Sequence, residues 1–207
     1  MVYKNLFNRL FFSLFFFVIY FIALTNKYLL FVIGTLIYLF IYYEICKFFN
    51  KSFFKLILLY LFLSYLCFSL YFFISYDFII FNIFVFTIIL FDSFSFFTGK
   101  VFGNNYIFKK ISPKKTLEGY LGGFFFTNVF QIGFFYFIYT EITIIKMLIV
   151  INLTILISII GDLIESFFKR KNNIKDSSRY LPGHGGFFDR FDSFIASIIM
   201  LTLFSLF

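Results

Sequence analysis

The sequence is a succession of apolar runs, each close to a membrane thickness in helical length and separated by short polar stretches. The hydrocarbon core of a bilayer is about 30 Å thick and a helix rises about 1.5 Å per residue, so roughly 20 apolar residues cross it once. Runs over residues 10–25, 28–46, 56–74, 78–97, 120–139, 144–164 and 191–207 approach that requirement. The chain is 62% hydrophobic and 14% charged, whereas soluble domains carry about a quarter of their residues as charges. Lipid is therefore its solvent. The expected fold class is all-α, a polytopic integral membrane helical bundle of about seven spans. The last run is short and opens with charge, so tilting or packing against other helices is expected there, and whether it crosses fully stays open.

Orientation follows from the basic residues, because loops rich in Lys and Arg stay in the cytoplasm. With a cytoplasmic N-terminus, only Lys27 and Lys146 of the 18 Lys and Arg residues fall on the outer side. The net charge of +8 then faces anionic headgroups. Lys4 and Arg9 ahead of the first run imitate a secretory signal, but no small-residue cleavage site follows Leu24, so an uncleaved first span is expected. Cys46 and Cys67 have no paired spacing, which suggests neither a disulfide framework nor a metal knuckle. Phe occupies 42 positions while Ala occupies only 23 and 196. Such usage exchanges one apolar type for another, so the aromatic content says little about ligands.

The expected organisation is a single transmembrane domain over 1–207. It comprises N-terminal spans over 1–91, a catalytic region over 92–192 with cytoplasmic loops 99–119 and 165–189, and a last helix over 191–207. Those two loops hold most of the polar chemistry. If the sixth span continues to Arg170, then Asp162, Glu165, Ser166 and Lys169 or Arg170 share one face by three- and four-residue spacing. Asp189 and Asp192 likewise share a face at the start of the last helix. A carboxylate in an apolar span is costly unless paired or bound to a cation, which marks Asp162 as a functional candidate. A structural ion pair is the plainer alternative, and for Asp189 and Asp192 it is a helix-start carboxylate favoured by the dipole. Oxygen ligands of this kind suit Mg²⁺. Gly183, Gly185 and Gly186 surround His184, the single histidine. They would let backbone N–H groups approach phosphate closely, although a plain interfacial turn or a hydrogen-bonded loop histidine fits the same residues.

The order Ser166, Lys169-Arg170, Lys175-Asp176-Ser177, Leu181, Pro182-Gly183-His184-Gly185-Gly186 and Asp189-Arg190-Phe191-Asp192 resembles the signature of the phosphatidate cytidylyltransferase family. Ser178-Arg179 depart from it, where relatives commonly have glycine and an uncharged residue. A second segment, from Asp92 through Gly99-Lys100 to Pro113-Lys114-Lys115-Thr116-Leu117-Glu118-Gly119, is similar to the family's central region. Lys114 and Lys115 beside Pro113 present a cation pair that would hold triphosphate or lipid phosphate, or would only mark a cytoplasmic loop. Asp92 is a candidate to position a cation or the cytidine, and Glu118 a candidate partner for Lys114 or Lys115.

The resemblance implies a nucleotidyltransferase joining CTP to phosphatidic acid, with CDP-diacylglycerol and pyrophosphate as products. It implies Asp162, Asp189, Lys169, Arg170 and Lys175 as catalytic residues. Lys114, Lys115, Ser166, His184, Gly185, Gly186 and Arg190 would bind substrate. Asp162 and Asp189 lead the implied metal ligands, supported by Asp176 and Asp192. Mg²⁺ is the implied cofactor, with a second cation left open. The implied partners are CTP, phosphatidic acid and membrane lipid, with homodimer packing left open and no nucleic acid. The implied location is a bacterial-type inner (cytoplasmic) membrane with the active site on the cytoplasmic face. Two other readings use the same residues: a CTP-dependent lipid kinase of the polyprenol or phytol type, and an ion-coupled transporter.

Overall fold

A computed structural model describes residues 18–24, 26–49, 53–108, 111–138, 143–178, 180–181 and 185–206. Residues 10–17 and 25 of the first expected span lie outside the described residues, as do Lys4, Arg9, Lys51, Lys109, Lys110, Arg179, Pro182, Gly183 and His184.

Among the described residues seven helices follow one another: α1 (18–23), α2 (Lys27–Phe48), α3 (Phe54–Leu70), α4 (Phe78–Phe102), α5 (Leu117–Ile138), α6 (Ile144–Lys171) and α7 (Phe188–Leu206). A π-helical turn over Tyr71–Ser75 extends α3. The fold is all-α, and the described residues contain no strand beyond two isolated bridges, Tyr106 with Thr116 and Leu181 with Gly185. Among the described residues, four helices are long and apolar enough to cross a membrane: α2, α3 with its π turn, α4 and α6. The bundle is that of a helical membrane protein.

Polar residues set the helix ends where apolar runs alone cannot. Asn26 accepts from Tyr28 N at 2.8 Å to start α2. Asp77 accepts from Ile79 N at 2.8 Å and Ile80 N at 3.0 Å to start α4. Each satisfies N–H groups that have no partner within the helix. At the other end of α6, Lys169, Arg170 and Lys171 occupy the last turn, where cations complement the helix dipole. Both α4 and α6 outlast their apolar runs, reaching Phe102 and Lys171. The polar segments 99–102 and 165–171 are thus helix rather than loop.

Helix α7 packs against α6, α3, α4 and the π turn, while α4 pairs with α5. Its inward residues Phe188, Ile195, Ile198 and Leu201 are fully buried beside Phe68 and Phe84. In lipid, apolar contact alone drives helix association weakly, so small residues and interhelical hydrogen bonds matter more. Ser64 Oγ donates to Ile195 O at 2.7 Å and Thr202 Oγ1 to Cys67 O at 2.9 Å, tying α3 to α7. Gln131 Nε2 donates to Thr87 Oγ1 at 2.7 Å, tying α5 to α4. Phe62, Phe96, Phe97 and Phe125 point outward, as a lipid-facing surface requires.

Candidate active site

The site begins with a close crossing of α6 and α7. A Cβ on Gly161 would lie 2.6 Å from Ala196 Cβ and 2.7 Å from Asp192 O. Only glycine allows the two backbones that near. The crossing lets Asp162 and Glu165 of α6 meet Asp192 of α7, each offering one carboxylate oxygen within 4.8 Å of the others. Two of these oxygens already face cations. Lys115, from the segment between α4 and α5, is ion-paired with Asp162 Oδ2, and Lys169 Nζ lies 2.8 Å from Glu165 Oε1. Burial pulls the Lys115 ammonium below the ordinary lysine value, while Asp92, Asp192 and Glu165 act to raise it.

Lys169 also lies 2.9 Å from Asp189 Oδ1, so one ammonium bridges α6 and α7. Asp189 Oδ2 further accepts from Ser177 N at 2.9 Å and Gly186 N at 2.8 Å. This carboxylate ties Ser177 and Gly186 to the start of α7. A cavity of about 630 Å³ opens beside the cluster, lined among others by Asp92, Lys114, Lys115, Asp162, Asp189 and Arg190. That volume is in the range of small-molecule sites. Gly103, Tyr106, Ser112 and Thr116 also line the cavity, and the start of that stretch is held by Glu118, which accepts from Asn104 N and Asn105 N, both at 3.2 Å, and from Asn105 Nδ2 at 2.6 Å. Glu118 therefore binds Asn104 and Asn105 in place of Lys114 or Lys115. The reason is local: the turn after α4 brings backbone N–H groups to the first turn of α5. Arg170 Nε donates to Ile111 O at 3.3 Å, which joins the end of α6 to the same segment.

Three hard carboxylates, two of them ion-paired to ammonium groups, form a donor set that fits Mg²⁺, which takes one or two carboxylates with substrate phosphates and water. The cavity adds the cations a polyphosphate needs, from Lys100, Lys114, Lys115 and Arg190. The sequence model of the cytidylyltransferase family matches residues 2–207. The chain belongs to the cytidylyltransferase family.

Relatives named phosphatidate cytidylyltransferase include a Staphylococcus aureus (strain COL) protein, 38% identical over 115 residues, 54% of this chain and 43% of the relative. A Staphylococcus haemolyticus protein of that name is 40% identical over 115 residues, 54% of this chain and 43% of the relative. One from Haemophilus influenzae is 38% identical over 120 residues, 56% of this chain and 42% of the relative. The matched stretch spans less than half the length of these relatives.

In this cytidylyltransferase-family chain, Asp162, Asp189, Asp192, Lys114, Lys115 and Arg190 all line one cavity. Lys169 is outside that lining but pairs with Asp189, which belongs to it, and Ser166 is buried on α6. Lys175 and Asp176 are exposed in the segment after α6 and do not line the cavity. Arg170 turns toward Ile111 and Ile174 rather than into the cavity. Gly186 N is directed at Asp189, and Gly185, at φ +84°, accepts from Leu181 N through its carbonyl at 2.9 Å. His184 lies outside the described residues. Sequence reasoning placed Glu165 on the right face but gave it no role as a ligand. It passed over Glu44, a carboxylate inside an apolar run, although that feature alone marks a residue for attention.

Proposed function

We propose that the chain is a CTP:phosphatidate cytidylyltransferase that makes CDP-diacylglycerol. The observation that carries the proposal is the carboxylate cluster Asp162, Glu165 and Asp192 opening on a cavity rimmed by Lys114, Lys115 and Arg190. The name of the relatives supports the same reading. In the reaction, a phosphatidate oxygen attacks the α-phosphorus of CTP. A new P–O bond forms, the bond to the bridging oxygen breaks, and pyrophosphate leaves with its electron pair. No protein nucleophile is needed, so the work is positioning and charge neutralisation.

Asp162, Glu165 and Asp192 would hold Mg²⁺. When bound, a divalent cation supplies Lewis-acid neutralisation of phosphate charge. Lys114 and Lys115 bind the polyphosphate from the α4–α5 side, and Arg190 from the α7 side. Lys169 keeps Glu165 and Asp189 in register across the crossing. The phosphatidate acyl chains stay in lipid against the apolar helices while the nucleotide enters from water. The distribution of basic residues supports seven spans with a cytoplasmic N-terminus, and a cytoplasmic face for the cavity.

The test is an assay of the purified chain with phosphatidate, Mg²⁺ and CTP labelled separately in the base and the γ-phosphate. Base label in lipid, lost when the metal is chelated, is the expected result. Transfer of γ-label alone would make it a lipid kinase, and neither label in lipid would reject the reading.

A further inference from the structure

Glu44 is fully buried on α2, a helix with apolar residues on every side. A buried carboxylate is costly unless hydrogen-bonded or paired. Among the described residues Glu44 has four donors: Ser177 Oγ at 3.2 Å, Ser178 Oγ at 2.6 Å, Phe187 N at 2.9 Å and Phe188 N at 2.9 Å. None comes from its own helix. Phe187 N and Phe188 N belong to the start of α7, where N–H groups lack intrahelical partners and the dipole favours an anion. Glu44 thus caps α7 from a helix some 140 residues earlier in the chain.

The same two segments are held from the other side by Asp189. Ser177 gives its N–H to Asp189 and its hydroxyl to Glu44. Gly186 gives its N–H to Asp189, and a Cβ on it would lie 2.6 Å from Glu44 Oε1. The Ser177 hydroxyl and the Glu44 carboxylate together fill the space a side chain at Gly186 would need. We propose that Glu44 is a positioning residue, which clamps the segments 177–178 and 186–188 so that Asp189, Lys169 and Arg190 stay registered on the carboxylate cluster. This rests on the nucleotidyl-transfer reading for its kinetic arm only, since the clamp itself is measured without substrate.

The experiment is limited trypsin digestion of the purified full chain in detergent, following cleavage after Lys171 and Lys175 relative to cleavage after Lys114. Lys171, Lys175 and Lys114 are all exposed, so the ratio separates local opening of the clamped segment from general loosening. Charge-assisted hydrogen bonds are the stronger kind, so Glu44→Gln is expected to raise that ratio about ten-fold. The kcat for lipid cytidylylation should fall by about ten-fold while the KM for CTP stays within about three-fold, because misplaced groups act through geometry and Lys114 and Lys115 lie on the other wall. Ser178→Ala, which removes one donor, should raise the cleavage ratio by about five-fold, and it decides the matter if Glu44→Gln is not recovered folded. An unchanged ratio in the recovered variant overturns the clamp. A raised ratio with unchanged kcat overturns its positioning role. Absence of transferase activity in the wild type would count against the nucleotidyl-transfer reading, and with it the positioning role, while the cleavage ratio still judged the clamp.

Discussion

Lys169 holds Asp189 at 2.9 Å across the junction of α6 and α7. The lysine is itself 2.8 Å from Glu165, so the carboxylate that organises the α6–α7 segment is coupled through one ammonium to the cluster that faces the cavity. On the proposed reading, Asp162, Glu165 and Asp192 gather the cation while Asp189 organises backbone and charge beside them.

Removing that ammonium leaves the buried Glu165 and the half-buried Asp189 without their shared cation. Breaking one side of a buried pair costs about 3–5 kcal/mol. Lys169→Met is expected to lower the unfolding temperature in detergent and to abolish cytidylyl transfer, while Lys169→Arg, which keeps the charge, retains a measurable fraction of both.

The carboxylate cluster predicts a different signature. On the proposed reading, Glu165→Gln and Asp192→Asn remove cation ligands without opening a cavity. Metal neutralisation is worth several kcal/mol in a transition state, so turnover should fall about 100-fold or more, at 1.36 kcal/mol per ten-fold. Asp192→Asn should leave circular dichroism and detergent stability close to wild type, while Glu165→Gln, which breaks the pair to Lys169, should lower the unfolding temperature; excess Mg²⁺ should restore part of the lost turnover in both.

The α6–α7 crossing can be widened directly. A side chain at Gly161 has no room against Ala196 and Asp192 O, and overpacking costs about 1–3 kcal/mol. Gly161→Val is expected to lose transfer activity through separation of Asp162 from Asp192. Gly133 has nothing within 4 Å of a built Cβ, and Gly133→Val should leave activity near wild type.

Lys115 stands on the other wall and pairs with Asp162. Lys115→Gln should raise the KM for CTP more than it lowers kcat, since removing a phosphate-binding charge weakens ground state and transition state together. Raising ionic strength should affect the wild type more than this variant.

Much of the fold was legible because lipid imposes a simple rule. Apolar runs of membrane length become helices, and the expected runs over 28–46, 78–97 and 144–164 lie inside α2, α4 and α6. The ends were less legible, because α4 and α6 continue through polar residues whose partners lie elsewhere in the chain. Asp162, Glu165 and Lys169 could be put on one face by spacing alone, yet the role of Glu165 depended on Asp192 arriving across Gly161. Ala196 was a usable clue, being a small residue in a chain that otherwise fills space with Phe, at the point where α7 meets Gly161. Glu44 was illegible as a partner of Ser177 and Ser178, since nothing local joins residues more than 130 positions apart. The binding of Glu118 to Asn104 and Asn105 was missed for a related reason: charge was matched to charge, whereas the backbone supplied the donors.

Manganese binding by the purified full chain, read as loss of the free-ion electron paramagnetic resonance signal, tests the cation site without relying on turnover. A saturable loss in the wild type, weakened by about ten-fold or more in each of Asp162→Asn, Glu165→Gln and Asp192→Asn, is the predicted result for oxygen ligands of one shared ion. Equal binding by the wild type and all three variants would contradict the account.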